Sequence, residues 1–185
     1  ERANSGDNIV VSSSMPVRDF EWFGGPLTNV NVFSNRGANG IDGVISTAVG
    51  IALATRRRTH VLIGDVAAVH DSNGLWGVTK RDIDLNVIVV NNDGGSIFSF
   101  LPQAGQLDKE SFEFLYGTPH GVQFNALASA HGVRYQNVEE PHMLGMHLDR
   151  SGVQLLELQF DRGVNVAMHE SLNAAIVEKL DSTLN

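Results

Sequence analysis

The chain contains no cysteine, which excludes disulfides, thiolate zinc sites and thiol nucleophiles, and fits a reducing compartment with the cytoplasm as the default expectation. Basic residues are sparse as well: 13 Lys and Arg against 21 Asp and Glu give a formal net charge of -8. No basic run is longer than Arg56-Arg57-Arg58, so a nucleic-acid partner is not expected. A small anionic ligand stays open, because backbone N–H groups at helix starts hold phosphate without net positive charge. No apolar run reaches the roughly 18 residues that would span a bilayer, and Glu1 to Asn8 do not form a secretory leader. There is no initiating Met, and an apolar segment begins already at Ile9. The sequence therefore reads as one taken from within a longer polypeptide.

With 185 residues and 42% hydrophobic content, the chain can bury about two-thirds of its unfolded surface around one core, and residues 1–185 read as a single domain. Short β-branched runs recur at Ile9-Val10-Val11, Val30 to Phe33, Val61-Leu62-Ile63, Val87 to Val90 and Val153 to Phe160. Helical signals lie between and after them, at Ile41 to Thr55, Ser72 to Lys80, Phe124 to His131, Pro141 to Leu148 and Ala167 to Leu180. The last of these, with Val166, Ala174, Ile176, Val177 and Leu180 on a broken apolar stripe, is expected to dock as a terminal helix. Pro102 to Thr118 reads as a long loop with a short helix. Continuous rather than alternating apolar character in the strands means that both sheet faces are covered. The pattern predicts an α/β fold: a parallel sheet of about six strands with helices on both faces.

In such a sheet, ligands sit outside the carboxyl ends of the strands. Asp65 follows Val61 to Gly64, and Asn92 follows Val87 to Asn91, so two neighbouring strands end on oxygen donors. A carboxylate, an amide oxygen and a freed glycine carbonyl suit a hard cation such as Mg²⁺, which takes octahedral oxygen ligands and leaves positions for a diphosphate. Gly94 and Gly95 let the backbone approach without a side chain in the way. Asn-Asn-Asp-Gly-Gly is also an ordinary turn sequence, and Gly-Asp after a strand is common; their joint occurrence is what points to a site.

Gly64-Asp65, 25 residues, then Asn91-Asn92 resembles the thiamine-diphosphate fingerprint, although Val66 stands where its third glycine is expected. Ser14-Met15-Pro16-Val17-Arg18-Asp19, Ser34 to Gly43 and Val89 to Gly95 resemble one family in particular, the 2-succinyl-5-enolpyruvyl-6-hydroxy-3-cyclohexene-1-carboxylate synthases of menaquinone biosynthesis. The resemblance is densest from Ser12 to Leu101 and thin after Gly121. It implies the cofactor thiamine diphosphate with Mg²⁺ or Mn²⁺, and metal ligands at Asp65, Asn92 and Gly94. Val66, Ala67, Gly95 and Ser96 would then surround the diphosphate, Asn39 would meet the aminopyrimidine and Ile41 would prop the bent cofactor. Ser14, Arg18 and Arg36 would grip substrate carboxylates, with Phe98 and Leu101 as an apolar wall. Read from position alone, Ile41 is a core residue at a helix start, Phe98 and Leu101 are equally core residues, and Arg18 pairs with Asp19 or Glu21.

The resemblance further implies decarboxylation of 2-oxoglutarate and addition of the succinyl unit to isochorismate. The glutamate that activates the cofactor in this family lies in an N-terminal pyrimidine-binding domain from a partner subunit of a homo-oligomer. No residue here fills that role, and no catalytic residue is assigned. His142 and His147 do not share a helical face, and His70 with Asp71 reads as a polar pair that supports a neighbouring group or faces solvent. The alternatives are a non-catalytic cofactor-binding module, or a domain of another thiamine-diphosphate 2-oxoacid decarboxylase or acetolactate-synthase-like enzyme.

Overall fold

The structure, a computed structural model, describes residues 3–37 and 40–184. Six parallel strands form one sheet: β1 (Asn8–Val11), β2 (Asn31–Ser34), β3 (Thr59–Gly64), β4 (Leu85–Asn91), β5 (Arg134–Asn137) and β6 (Val153–Gln159), in the order β2-β1-β3-β4-β6-β5. The expected α/β architecture is found. The apolar runs became the strands, and β3, β4 and β6 are buried along nearly their whole length because both of their faces are packed. β5 was not marked by any apolar run. As an edge strand of Arg-Tyr-Gln-Asn it needs only one paired neighbour, β6, and leaves its other side to water.

The helices are α1 (Met15–Phe23), α2 (Val44–Thr55), α3 (Asp65–His70), α4 (Gln103–Gln106), α5 (Lys109–Phe112), α6 (Phe124–Ala130) and α7 (Arg162–Leu184). One sheet face, with Val10, Val61, Ile63, Val87, Val89 and Leu155, packs against Ile45, Ala48 and Ala52 of α2, Ala67 of α3 and Phe124 of α6. The opposite face, with Ile88, Leu156 and Leu158, meets Val138 and Leu148. It is more thinly covered, leaving a groove of about 600 Å³ between the sheet and Phe20, Phe23 and Leu144.

Several local expectations are corrected. The segment after β1 is a helix, started by Pro16 in its first turn. Ser72 to Lys80 forms two 3₁₀ turns, Ser72–Leu75 and Val78–Lys80, split by Gly77 in the left-handed region at φ 63°. Pro141–Met146 is likewise 3₁₀. The Pro102 to Thr118 stretch contains α4, α5 and one turn of π-helix, Glu113–Gly117, closed by an Arg162 to Glu113 ion pair at 2.8 Å. α7 is longer than expected and docks only at its start: Val164, Met168, Leu172, Ile176 and Leu180 are exposed. Among the described residues, no helix is long and apolar enough to cross a membrane.

α2 has no cap of its own, since Gly43 precedes it. Asp71, buried at the end of α3, supplies one: its carboxylate accepts from the Ser46 N–H at 2.8 Å and the Ser46 hydroxyl at 3.0 Å. From the sequence this residue reads only as a polar group that supports a neighbour or faces solvent; in the fold it caps α2. Asp71→Ala removes a charge-assisted cap and is expected to destabilise the domain by about 2 kcal/mol, seen as a Tm lower by roughly 4–8 °C.

α7 is anchored by His169, whose Nδ1 faces the Asn165 carbonyl and whose Nε2 faces Asp19 Oδ1, each at 2.9 Å. Phe23 and Phe100 set their rings edgewise to the imidazole. Both partners are acceptors, so only the doubly protonated ring can donate to both. Burial, the largest influence, pushes this histidine's pKa down, but the Asn165 carbonyl and Asp19 together leave it raised above the usual 6.5. A histidine raised on folding stabilises fully below its unfolded pKa, and that contribution is lost as pH climbs through the folded value. The α7 anchor is therefore expected to be firmest below pH 6.5 and to loosen above the folded-state pKa. Amide exchange over residues 162–170 measured across that range, against His169→Phe as a pH-insensitive reference, checks this.

Candidate functional site

The chain runs from β1 outward to β2, then returns to add β3 and β4 on the other side of β1. Such a reversal opens a crevice at the carboxyl edge of the sheet. At that edge, β3 ends on Asp65 and β4 on the turn Asn91 to Gly94.

Asp65 is 2% exposed. Its Oδ1 accepts from Val66 N–H at 2.7 Å, while Oδ2 accepts from Asn92 N–H at 3.0 Å and Gly94 N–H at 2.9 Å. The carboxylate thus staples the two strand tips together and keeps a lone pair on Oδ1. Asn92 Oδ1 is buried with no hydrogen-bond partner among the described residues, and so is Ser96 Oγ. The Gly94 carbonyl accepts from Ser96 N–H at 3.0 Å. A buried amide oxygen left without a donor costs about 1–3 kcal/mol. A hard cation satisfies such an oxygen, so this donor set fits one.

The turn itself demands glycine. Gly94 has φ +136°, and a Cβ there would overlap the Gly117 carbonyl oxygen. A Cβ on Gly95 would meet the Tyr116 carbonyl and, at 2.9 Å, the Phe98 ring, while the Gly95 N–H donates to the Gly117 carbonyl at 2.8 Å. Asp93 adopts φ 55° and its Oδ1 accepts from His120 and Gly121 N–H groups at 3.0 and 2.8 Å. The Gly121 bond, foremost, with the His120 N–H and charge, holds its carboxyl below the usual range despite the opposing effect of burial.

His120 was missed in the sequence, where Gly117-Thr118-Pro119 served only as a loop boundary. Val122 N–H donates to its Nδ1 at 3.0 Å, and its buried Nε2 faces Asp65 Oδ2 at 3.3 Å.

Ser14 and Arg18 come together: the guanidinium Nη1 donates to the Ser14 carbonyl at 2.7 Å. Ser14 has φ 74°, a strained conformation for a residue with a side chain. Asp19, offered as a surface partner for Arg18, is held by His169 instead. Arg36 stands exposed beyond the end of β2, on the strand beside β1 and at the same sheet edge. Val66 and Ala67 form the first turn of α3, with the Ala67 methyl in the core. Ile41 is half-buried against that core. Phe98 packs edgewise on Tyr116 and, with Leu101, is partly exposed. Asn39 lies outside the described residues.

A parallel sheet whose carboxyl edge carries a stapled Asp and a glycine turn defines a diphosphate-binding α/β domain. Residues 13–152 match the family described as thiamine pyrophosphate enzyme, C-terminal TPP binding domain, and the chain belongs to that family. Within it, the sequence is 44% identical over 172 residues, 91% of this chain, to the 2-succinyl-5-enolpyruvyl-6-hydroxy-3-cyclohexene-1-carboxylate synthase of Chloroflexus aurantiacus, and 41% identical over 180 residues, 95% of this chain, to that of Myxococcus xanthus. The resemblance seen in the motifs is borne out. The chain spans 29% and 31% of the length of these two relatives. Benzoylformate decarboxylase from Polynucleobacter necessarius shares the fold, with a TM-score of 0.68 at 16% identity, covering 86% of this chain and 31% of that one.

Gly94→Ala is expected to destabilise the domain by more than about 2 kcal/mol, combining backbone strain with the clash at Gly117. Thermal unfolding, with faster exchange of the Gly95 amide, checks this; Gly105→Ala, where nothing lies within 4 Å of the new methyl, is the near-neutral control.

Proposed function

We propose that this chain is the diphosphate-binding C-terminal part of a larger synthase that decarboxylates 2-oxoglutarate and transfers the succinyl unit to isochorismate. The observation that carries the reading is the strand-tip donor set. Asp65 is stapled to the β4 turn, beside an Asn92 oxygen that is buried and without a hydrogen-bond partner among the described residues. Asp65, Asn92 and the Gly94 carbonyl would hold Mg²⁺ or Mn²⁺. Three protein oxygens leave half an octahedron for phosphate and water. Val66, Ala67, Gly95 and Ser96 would line the diphosphate, with the free Ser96 hydroxyl as a donor. Ile41 and the backbone at Asn39 would orient the organic end of the cofactor. When bound, thiamine diphosphate supplies the electron sink for decarboxylation.

Arg18, Arg36 and Ser14 would bind the substrate carboxylates, a task suited to guanidinium groups because each matches a planar carboxylate with two N–H donors. Phe98 and Leu101 would exclude water from the same crevice. The residues of this chain thus bind and orient, and the group that activates the cofactor would come from an N-terminal pyrimidine-binding domain of a partner subunit in a homo-oligomer. The strong identity to the synthases, against fold likeness alone to benzoylformate decarboxylase, supports the dicarboxylate reading over a pyruvate-type relative.

In the full-length enzyme, Asp65→Asn is expected to weaken Mg²⁺-dependent cofactor uptake on the order of a hundredfold, measured by titration calorimetry. Arg18→Ala is expected to raise the KM for 2-oxoglutarate roughly thirtyfold, equivalent to about 2 kcal/mol of lost charge-assisted binding. Unchanged cofactor uptake in the first variant, or an unchanged preference between 2-oxoglutarate and pyruvate in the second, would overturn the corresponding half of the reading.

A further inference from the structure

The turn carrying Asn92 and Gly94 is braced from behind by side chains that the proposed function leaves unused. Glu157, on β6 and outside the residues matched to the family, is 2% exposed. Its Oε1 accepts from Asn91 Nδ2 at 2.6 Å and Gln159 Nε2 at 3.0 Å, and its Oε2 accepts from the Tyr135 hydroxyl at 2.5 Å. The amide of Asn91 faces two ways. While its nitrogen donates to Glu157, its oxygen accepts from Asp93 N–H at 3.0 Å. An unbroken path therefore runs from Tyr135 on β5 through Glu157 on β6 and Asn91 on β4 into the backbone of the turn. The N–H groups of Asn92 and Gly94, on either side of Asp93, point at Asp65.

A buried carboxylate is a poor choice for stability alone. Even with its hydrogen bonds made, a hydrophobic residue of similar volume is often as good or better. What a carboxylate provides here, and a leucine does not, is an acceptor that fixes the Asn91 side chain. Burial first, then the hydrogen bond and charge of Glu157, push the Tyr135 hydroxyl far above its ordinary pKa, so it remains a donor throughout the working range.

We propose that Glu157, oriented by Tyr135, is a positioning residue for the metal-binding turn, holding Asn91 so that Asn92 and Gly94 stand in place before the cation arrives. This rests on the proposed metal role of Asp65, Asn92 and Gly94. A turn ordered in advance does not have to be ordered on binding, and that difference appears as affinity.

The test uses the full-length enzyme with MgCl₂ and thiamine diphosphate. It has two readouts: the Mg²⁺ concentration for half-maximal cofactor uptake, and amide exchange over residues 91–95 in the metal- and cofactor-free protein. Glu157→Leu fills the volume without an acceptor. It is expected to raise the half-saturating Mg²⁺ roughly tenfold and to speed exchange at Asn92 and Gly94. Glu157→Gln keeps an oxygen for Asn91 while the Tyr135 hydroxyl turns to accept from the new amide, and is expected to restore near-wild-type values. Tyr135→Phe should fall between them, and carries the test if Glu157→Leu does not fold. Gln154→Leu removes another buried polar side chain of β6, one bonded to Asn86 and the His147 carbonyl; it should shift Tm only. Wild-type Mg²⁺ dependence and exchange in Glu157→Leu and Tyr135→Phe, or equal impairment in Glu157→Leu and Glu157→Gln, overturns the proposal. Failure of the wild-type enzyme to take up cofactor with Mg²⁺ would instead strike the functional reading, and the exchange readout would still judge the brace.

Discussion

The functional edge of this domain depends on one carboxylate meeting the backbone of the next strand. Asp65 ends β3, yet two of the three N–H groups it accepts belong to the turn after β4. Parallel pairing of β3 and β4 runs only to Gly64 and Val90; beyond that register the tips would be free to separate. The hydrogen bonds of Asp65 carry the pairing past the end of the ladder, and so the spacing of donors on two strands becomes a fixed geometry. Removing one partner of such a buried set leaves the others unsatisfied, which makes the arrangement all-or-none.

Around this staple the molecule divides its labour by layer. The face packed by α2, α3 and α6 is a dry core of small and branched residues, and it holds the strands rigid beneath the site. The opposite face is thinner, carrying α1, the 3₁₀ turn at Pro141–Met146 and an open apolar groove. In the proposed reading, the residues that would grip substrate carboxylates, Ser14, Arg18 and Arg36, follow β1 and β2, while those that would hold the metal and diphosphate follow β3 and β4. Ile41 after β2 and Phe98 and Leu101 after β4 cross that division, so both functions would draw on neighbouring strands of one sheet.

Much of this was legible in the sequence because central parallel strands are apolar on both faces, and β1, β3, β4 and β6 declared themselves in this way; the edge strand β2 did so through Val30, Val32 and Phe33 although its first two residues are exposed. β5 did not, since Arg134 to Asn137 contains no apolar run. Met15 to Phe23 was read as a polar strand tip although Pro16 marked a helix start. Asp65 and Asn92 could be paired because each lies within two residues of the end of an apolar run, and Gly94 joined them through the family resemblance. His120 and Glu157 could not, for the contacts that give them meaning span 27 residues to Asp93 and 66 residues to Asn91 and are made only by the folded chain. Hydrophobic periodicity reports which residues are inside; it is silent on which buried polar groups meet.

The excursion from Ser96 to Tyr116 leaves the site at Gly95 and returns at Gly117, and one hydrogen bond, from the first glycine to the second, ties off its base. Beyond that tie the excursion is held to α7, by the Glu113 to Arg162 ion pair and the Phe100 ring against His169. Between these anchors its length can change at little cost, because the entropic cost of closing a loop rises only slowly with the number of residues enclosed. Under the proposed function, what the crevice admits could therefore change through this excursion while the strand tips that would hold the cofactor keep their geometry.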